Sequence, residues 1–400
     1  LHSEQYLYAG FDKQYPDHLP PSTNFGTPSE FTNFLAQARQ SNRLTMPYTN
    51  PTFWGDDPRS PVFTNDDPLQ RNLDGSVSFE EYFGNGGFNI TPWHPTVQAA
   101  NRNTRGQFIT NYPVDILFQD QVGARTWQYD LSTSSPSPYA YASGLAAIAA
   151  EDSQVIPVST ENLWDRLINA EAQSCGLAWG LAPTTNAPVW RRYLRDRYAP
   201  STWQVFPVAQ YLAHDTLSMI YNDLNAAVHN HEVMAWTLGL GYGMTYVVNA
   251  VDLDKVATRQ WLLWIDRMQK SVAARYIGQP VNSFSHQWGT NTVNPDNGVM
   301  TASYGPVDVV GNLGPQQMVT NGWTLPGYGY LATAPGLVAA HLIPPGGSNA
   351  APYVAETNTS GGVNFWIYAP GGTNTTIILP AGFNGASAVE IGRESCGARV

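Results

Sequence analysis

Two short apolar runs in this chain of 400 residues end on a carboxylate. "VDILFQD" closes on Asp120, with the amides Gln119 and Gln121 on either side, and "VIPVSTE" closes on Glu161. Two carboxylates delivered by successive strands can divide the work at one carbon centre. One attacks as a nucleophile, or activates water as a base, while the other protonates the departing oxygen. That is the chemistry of glycosidic-bond cleavage, with Asp120 and Glu161 as the natural pair; it calls for no cofactor and no metal. Asp165, one turn further on, is the alternative acid. Plainer roles exist: Asp120 could cap its strand and pair with Arg125, and Glu161 could sit in the first turn of a helix, where the macrodipole favours it.

The residues expected around this pair are chosen by the same strand-end rule. Asp12 follows "YLYAGF", Tyr48 and Asn50 lie in "LTMPYTNPTFW", Gln119 adjoins Asp120, and His214 with Asp215 follows "VFPVAQYLA". Sugar rings stack on aromatic planes while their hydroxyls seek amides and carboxylates, so Trp54, Trp93, Trp127 and Trp164 are candidate walls of a carbohydrate site. His214 serves equally well as a satisfied core histidine, and Asp12 and Asp17 as solvated loop residues. "QRNLDGSVSFEE" imitates a calcium-binding loop, but Gln70 stands where the first aspartate belongs and no helices flank it, so a hairpin turn is expected. His229 and His231 are two apart, a spacing that sends them to different faces of a helix rather than to one metal ion. The chain has no GxSxG elbow, HExxH, phosphate-binding loop or dinucleotide fingerprint.

Elements that could carry these residues alternate along the chain. "TPSEFTNFLAQARQ" begins with Thr27 as N-cap, Pro28 at the first helical position and Glu30 completing a capping box. Phe31, Phe34, Leu35 and Ala38 then share one face. Strands are expected at Tyr6 to Ala9, Arg43 to Tyr48, Val114 to Phe118, Gln154 to Ser159 and Gln204 to Tyr211, with weaker ones in "EVMAWTLGLGYGMTYVV". Helices are expected near Pro95 to Arg105, Pro138 to Glu151 and Asp254 to Ile277. Alternation of this kind predicts an α/β fold with a parallel sheet, and at this length a TIM-type (β/α) barrel over residues 1–279. Its first strand is expected upstream of Leu1. From about residue 280 short alternating segments broken by Gly, Pro and Asn predict an antiparallel, sandwich-like β domain to residue 400.

Composition narrows the partners. With 13% charged residues, a formal net charge of -11 and a pI near 5.1, the chain offers no basic surface for nucleic acid. No apolar run approaches the length of a membrane span. Cys175 and Cys396 form neither a CxxC pair nor a zinc-ligand spacing. The 13 Trp and 21 Tyr, with loops rich in Asn, Thr, Gly and Pro, fit a secreted carbohydrate-active protein; starting at Leu1 without a charged and apolar leader, the sequence is expected either to have lost a signal peptide or to be a fragment.

The blocks "FDKQYPDHLPP", "LTMPYTNPTFW", "DILFQDQVGA", "PVSTENLWDRL" and "VFPVAQYLAHD" resemble, in that order, those of largely uncharacterised bacterial glycoside-hydrolase-like barrel proteins. These are distantly similar to the endo-α-N-acetylgalactosaminidase group and the wider α-galactosidase-like barrels. The resemblance spans roughly residues 6 to 250. It implies a retaining glycosidase in which the aspartate ending the fourth strand, here Asp120, is the nucleophile, and the glutamate after the fifth, here Glu161, is the acid/base. Set against the family, the given residues are expected to start near the second strand, without the family's upstream β-rich domain. A non-catalytic carbohydrate-binding protein on a degenerate barrel is the competing expectation, distinguished by the absence of turnover; a barrel inactivated by loss of a partner domain is a third.

Overall fold

The computed structural model describes residues 2–3, 6–8, 10, 13, 15–56, 65–82, 84–125, 128–177, 203–221, 231–246, 251, 253–288, 298–346, 351–359, 362–369, 377 and 398–399. Of the residues singled out above, Asp12, Trp127, His229 and Cys396 lie outside these. The chain divides into two compact units, Leu1–Cys175 and Gly176–Val400.

The first unit alternates strands and helices: β1 (His2–Ser3), α1 (Pro28–Gln40), β2 (Met46–Thr49), then a small antiparallel insert of β3 (Phe53–Gly55), β4 (Phe79–Tyr82) and β5 (Asn85–Asn89). The series continues with α2 (Pro95–Asn111), β6 (Leu117–Gln119), α3 (Ala140–Ser153), β7 (Val158–Glu161) and β8 (Glu171–Cys175). Strands β1, β2, β6, β7 and β8 pair in that order, each parallel to its neighbour. Every residue of β2 and β6 is buried, as in a parallel sheet covered on both faces. This is why their sequences read as continuous apolar runs and not as alternation.

The capping box on α1 forms as the sequence predicts, with Thr27 and Glu30 exchanging side-chain and backbone hydrogen bonds. Leu35 and Ala38 are buried, Phe31 stacks on Tyr6 at 5.1 Å, and Phe34 is left exposed. Of the strand expected at Tyr6 to Ala9, residues 6–8 form a turn and Ala9 lies outside the described residues; the edge strand is His2–Ser3. Tyr6 is inside because of its contacts: its hydroxyl donates to the Tyr48 carbonyl at 2.5 Å. The calcium-loop mimic is a hairpin turn, as expected. Arg71 bridges to Val77, Gly75 has φ +82°, and the Asp74 carboxylate accepts from the backbone and hydroxyl of Ser76.

The second unit contains α4 (Val208–Ala213), β9 (Ser218–Tyr221), α5 (His231–Gly239) and β10 (Gly243–Met244), with β9 and β10 parallel. Next comes α6 (Val256–Met268), prolonged by a π-turn at Gln269–Ala273 and a last helical turn at Ala274–Tyr276. Antiparallel strands follow: β11 (Val281–Trp288), β12 (Gly298–Tyr304), β13 (Val307–Asn312), the separate hairpin β14 (Met318–Thr320) and β15 (Trp323–Leu325), β16 (Tyr330–Ala334), β17 (Leu337–His341), β18 (Pro352–Thr357), β19 (Val363–Ile367) and β20 (Ala398–Arg399). All but the hairpin form one sheet in the order β11-β12-β13-β16-β17-β18-β19-β20. β12 alternates buried and half-buried residues over its whole length, the period-2 pattern that made this region legible.

Two expected strands here are helices. Residues expected to form a strand from Gln204 to Tyr211 enter α4 directly after its N-cap, Pro207. "EVMAWTLG" forms α5, in which every residue from Glu232 to Gly239 is buried. A helix buried all round has no polar stripe, so its sequence cannot be told from a buried strand by periodicity.

Candidate active site

β6 and β7 are adjacent and parallel, with Leu117, Phe118 and Gln119 opposite Val158, Ser159 and Thr160. Asp120 and Glu161 are the next residue on each chain. Both therefore lie one step beyond the Gln119–Thr160 pair, at the C-terminal ends of neighbouring strands, where (β/α) folds place their active sites. Each carboxylate is followed by a residue in the left-handed region: Gln121 has φ +62° and Asn162 has φ +59°. Among the described residues, only three other non-glycine positions, Asn42, Asn321 and Tyr328, share that conformation. Such backbone is costly outside glycine and clusters at functional sites.

The Asp120 side chain is half-buried and gripped from β2. The Tyr48 hydroxyl donates to Oδ2 at 2.8 Å and the Asn50 amide to the same oxygen at 3.3 Å, while the Asp120 N–H donates to the Thr49 carbonyl at 2.8 Å. Asn50 is itself fixed: its Oδ1 accepts from the Thr52 N–H and hydroxyl, and its N–H donates to Nε2 of His18. Burial lowers the His18 imidazole to about 4 despite its bond to the Pro16 carbonyl. It is therefore neutral near pH 7, with Nδ1–H donating to Pro16 and Nε2 accepting from Asn50. His18 also stacks on Tyr15 at 4.7 Å. Sequence reasoning missed it, since a single histidine in a loop carries no spacing signal.

The loops after the two strands are locked together. Gly123 donates its N–H to the Thr160 hydroxyl at 2.8 Å, and that hydroxyl donates in turn to the Gln119 carbonyl at 3.0 Å. A Cβ on Gly123 would lie 2.5 Å from the Glu161 carbonyl oxygen and 2.6 Å from that of Asn162. Only glycine allows this approach. Glu161 is the last residue of β7 and not a first-turn helix residue; the 3-10 turn after it starts at Asp165, which is exposed.

Arg125 pairs with Glu80 of β4, contacting both carboxylate oxygens, and also donates to Gln121 Oε1 from Nε at 2.9 Å and to the Tyr82 hydroxyl at 3.0 Å. Burial would raise the Glu80 carboxyl, but the bonds and charge of Arg125, with the Tyr82 hydroxyl, hold it down at about 2. The β3-β5-β4 insert is thereby fastened to the loop that leaves Asp120.

Several expected site residues are placed elsewhere. Gln119 is buried, and its amide donates to Asp152 in the last turn of α3 at 2.5 Å, so it supports the strand end and presents nothing to a ligand. Trp54 is 1% exposed and Trp164 is 8% exposed, packed with Val122, Tyr141 and Leu167. Neither offers a face to a sugar, because position after a strand does not say which way a ring turns and large apolar rings fall inward. Trp93 is half-buried with its Nε1 donating to Asp130 at 2.8 Å. His214 is buried with both ring nitrogens against the carbonyls of Gln279 and Gly241, a structural histidine of the second unit, and Asp215 is exposed. Of the expected residues, the structure gathers Asp120, Tyr48 and Asn50 by direct hydrogen bonds and brings Glu161 alongside through the strand register.

At the opposite, N-terminal ends of β7 and β8 a depression of about 360 Å³ is lined by residues 153–157 and 169–172. There Glu171 is 4% exposed, and among the described residues neither of its carboxyl oxygens has a hydrogen-bond partner. Burial, and secondarily the charge of Asp152, raise it to about 8. Among the described residues no group of His, Cys, Asp and Glu could hold a metal ion, and no helix is long and apolar enough to cross a membrane.

No protein-family model matches the sequence, and no curated protein is significantly similar to it. Solved structures do match. Superposition on the α-N-acetylgalactosaminidase NagBb from Bifidobacterium bifidum gives a TM-score of 0.57 in its ligand-free form, at 15% identity over 78% of this chain and 48% of that one. Its complex with Gal-NHAc-DNJ gives 0.59 at 13% identity, covering 84% of this chain and 49% of that one. This chain thus spans about half the length of the structures it matches. At such identity the likeness shows the fold alone: an α/β barrel of the TIM type with a C-terminal antiparallel β domain, the architecture that the resemblance in the sequence implied.

Proposed function

We propose that the chain is a glycoside hydrolase that acts on oligo- or polysaccharides by a retaining mechanism, with its barrel over residues 1–279 and its β domain over 280–400. The observation that carries the reading is the placement of Asp120 and Glu161 one step beyond a paired row of adjacent parallel strands. Neighbouring strands lie about 4.7–4.9 Å apart. That spacing suits the separation of about 5–5.5 Å between the carboxyl groups of retaining enzymes better than the roughly 6.5–9.5 Å that leaves room for water in inverting ones.

In this reading Asp120 attacks the anomeric carbon while Glu161 protonates the leaving oxygen. A glycosyl ester forms on Asp120; Glu161, now a carboxylate, takes a proton from water, which attacks the same carbon and frees both the sugar and Asp120. Tyr48 and Asn50 hold the attacking carboxylate in one orientation. The aromatic-rich composition, with only 13% charged residues, supports a carbohydrate substrate and a place of action outside the cytoplasm.

The test is reducing-sugar release by wild type and Asp120→Asn over a panel of polysaccharides and α- and β-linked aryl glycosides. The expected result is release by wild type, lost by roughly a thousandfold or more in the variant, with the first-formed sugar keeping its anomeric configuration by NMR. Equal release by both proteins moves the nucleophile elsewhere. Binding of glycans without release from either favours a non-catalytic carbohydrate-binding protein.

A further inference from the structure

The loop from β6 to α3, which begins at Asp120, carries a second feature that the two carboxylates do not use. Tyr129 and Tyr139 are 47% and 63% exposed, and their rings lie 5.7 Å apart at 66°. Both rings stand in solvent, while the backbone next to them is held by hydrogen bonds. Asp130, 1% exposed, is the hub: Oδ1 accepts from the N–H groups of Arg71 and Ser132, and Oδ2 from Trp93 Nε1 and the Ser132 hydroxyl. The carbonyl of Tyr129 accepts from Gln70 Nε2 at 2.9 Å, and the N–H of Asp130 donates to Pro138 at 3.4 Å, closing the loop beneath the two rings. Tyr139 directly precedes α3, so both rings lie on a connection that starts and ends at the C-terminal side of the strands.

Two tyrosines at 66° form a corner. One ring offers a flat, electron-rich face to the C–H bonds of a pyranose, and the other closes the side of the sugar with the edge of its ring. Because the backbone below is already ordered, binding there does not have to order a loop first. A neutral, hydroxyl-rich occupant also suits a chain with a net charge of -11 and few charges overall.

The geometry points to a second sugar-binding position at Tyr129 and Tyr139, which takes a pyranose ring of the substrate chain away from the scissile bond. This rests on the glycosidase reading for its substrate but not for its test. The full-length Asp120→Asn chain is titrated with galactose and N-acetylgalactosamine as single rings, and with neutral oligosaccharides of two to five units from mucin, galactomannan and starch. The same titrations are run with Tyr129→Ala/Tyr139→Ala and Tyr129→Phe/Tyr139→Phe added.

At least one oligosaccharide series is expected to bind more tightly than its single ring. Its affinity should fall on the order of tenfold in the alanine pair and be kept in the phenylalanine pair, while single-ring binding and the melting temperature stay unchanged. Oligosaccharide binding unaltered in the alanine pair, or no oligosaccharide binding more tightly than its single ring, overturns the inference. Tyrosine-dependent binding by a chain whose wild type hydrolyses nothing supports the platform and overturns the glycosidase reading. Hydrolysis with no dependence on the tyrosines does the reverse.

Discussion

The Tyr48 hydroxyl and the Asn50 amide converge on one oxygen of Asp120, and a hydrogen bond to an ionised partner contributes about 1.5–3 kcal/mol. Tyr48→Phe removes one donor and no ring, so kcat on an aryl glycoside should fall roughly 10- to 100-fold; an unchanged kcat would mean that the Tyr48 hydroxyl does not orient a reacting carboxylate. Glu171 makes a different expectation. Its folded value of about 8 lies above its ordinary 4.5, so the folded chain binds the proton more tightly than the unfolded chain. Stability attached to this group is fully present below pH 4.5 and is lost as the pH rises through 8. Glu171→Gln does not titrate, so its advantage over wild type should grow between pH 5 and pH 8, to on the order of 4 kcal/mol. Denaturant titrations at pH 5, 6.5 and 8 decide this: parallel wild-type and variant curves would show that Glu171 ionises without cost.

At the scale of elements, Gly123 joins what two strands deliver. Its missing side chain lets the loop after β6 lie on the backbone of Glu161 and Asn162. Gly123→Ala must push apart backbone that cannot yield, and misplacement by about 1 Å costs on the order of a hundredfold in rate. The expected result is a fall of that size in kcat with KM nearly kept; wild-type kinetics would show that the two loops move independently. Elements also show where reading stopped. The capping box, the apolar face of α1 and the alternation in β12 were legible because each is a local pattern with its own period. α5 was not: it is buried on every side, and its sequence lacks the polar stripe that marks a helix. The direction in which Trp54, Trp164 and Gln119 turn was not legible either, for that depends on what packs above them.

For the whole molecule, a formal net charge of -11 acting on an uncharged sugar predicts that kcat/KM stays nearly constant from about 20 to about 500 mM salt, because there is no charged ligand to steer. A steep salt dependence would point to a charged substrate. The sequence by itself determined the alternation of helix and strand from α1 to β7, the antiparallel strands that begin near Val281, and the two carboxylates that end neighbouring strands. These follow from nearest-neighbour chemistry: periodicity, caps and the rule that parallel strands present their C-terminal ends. Only the tertiary structure decided which residues grip Asp120, that Arg125 pairs with Glu80, that His18 stands neutral behind Asn50, and that two tryptophans expected at the site are core. Each of those depends on contacts between residues tens of positions apart, and no window of sequence holds both partners of such a contact.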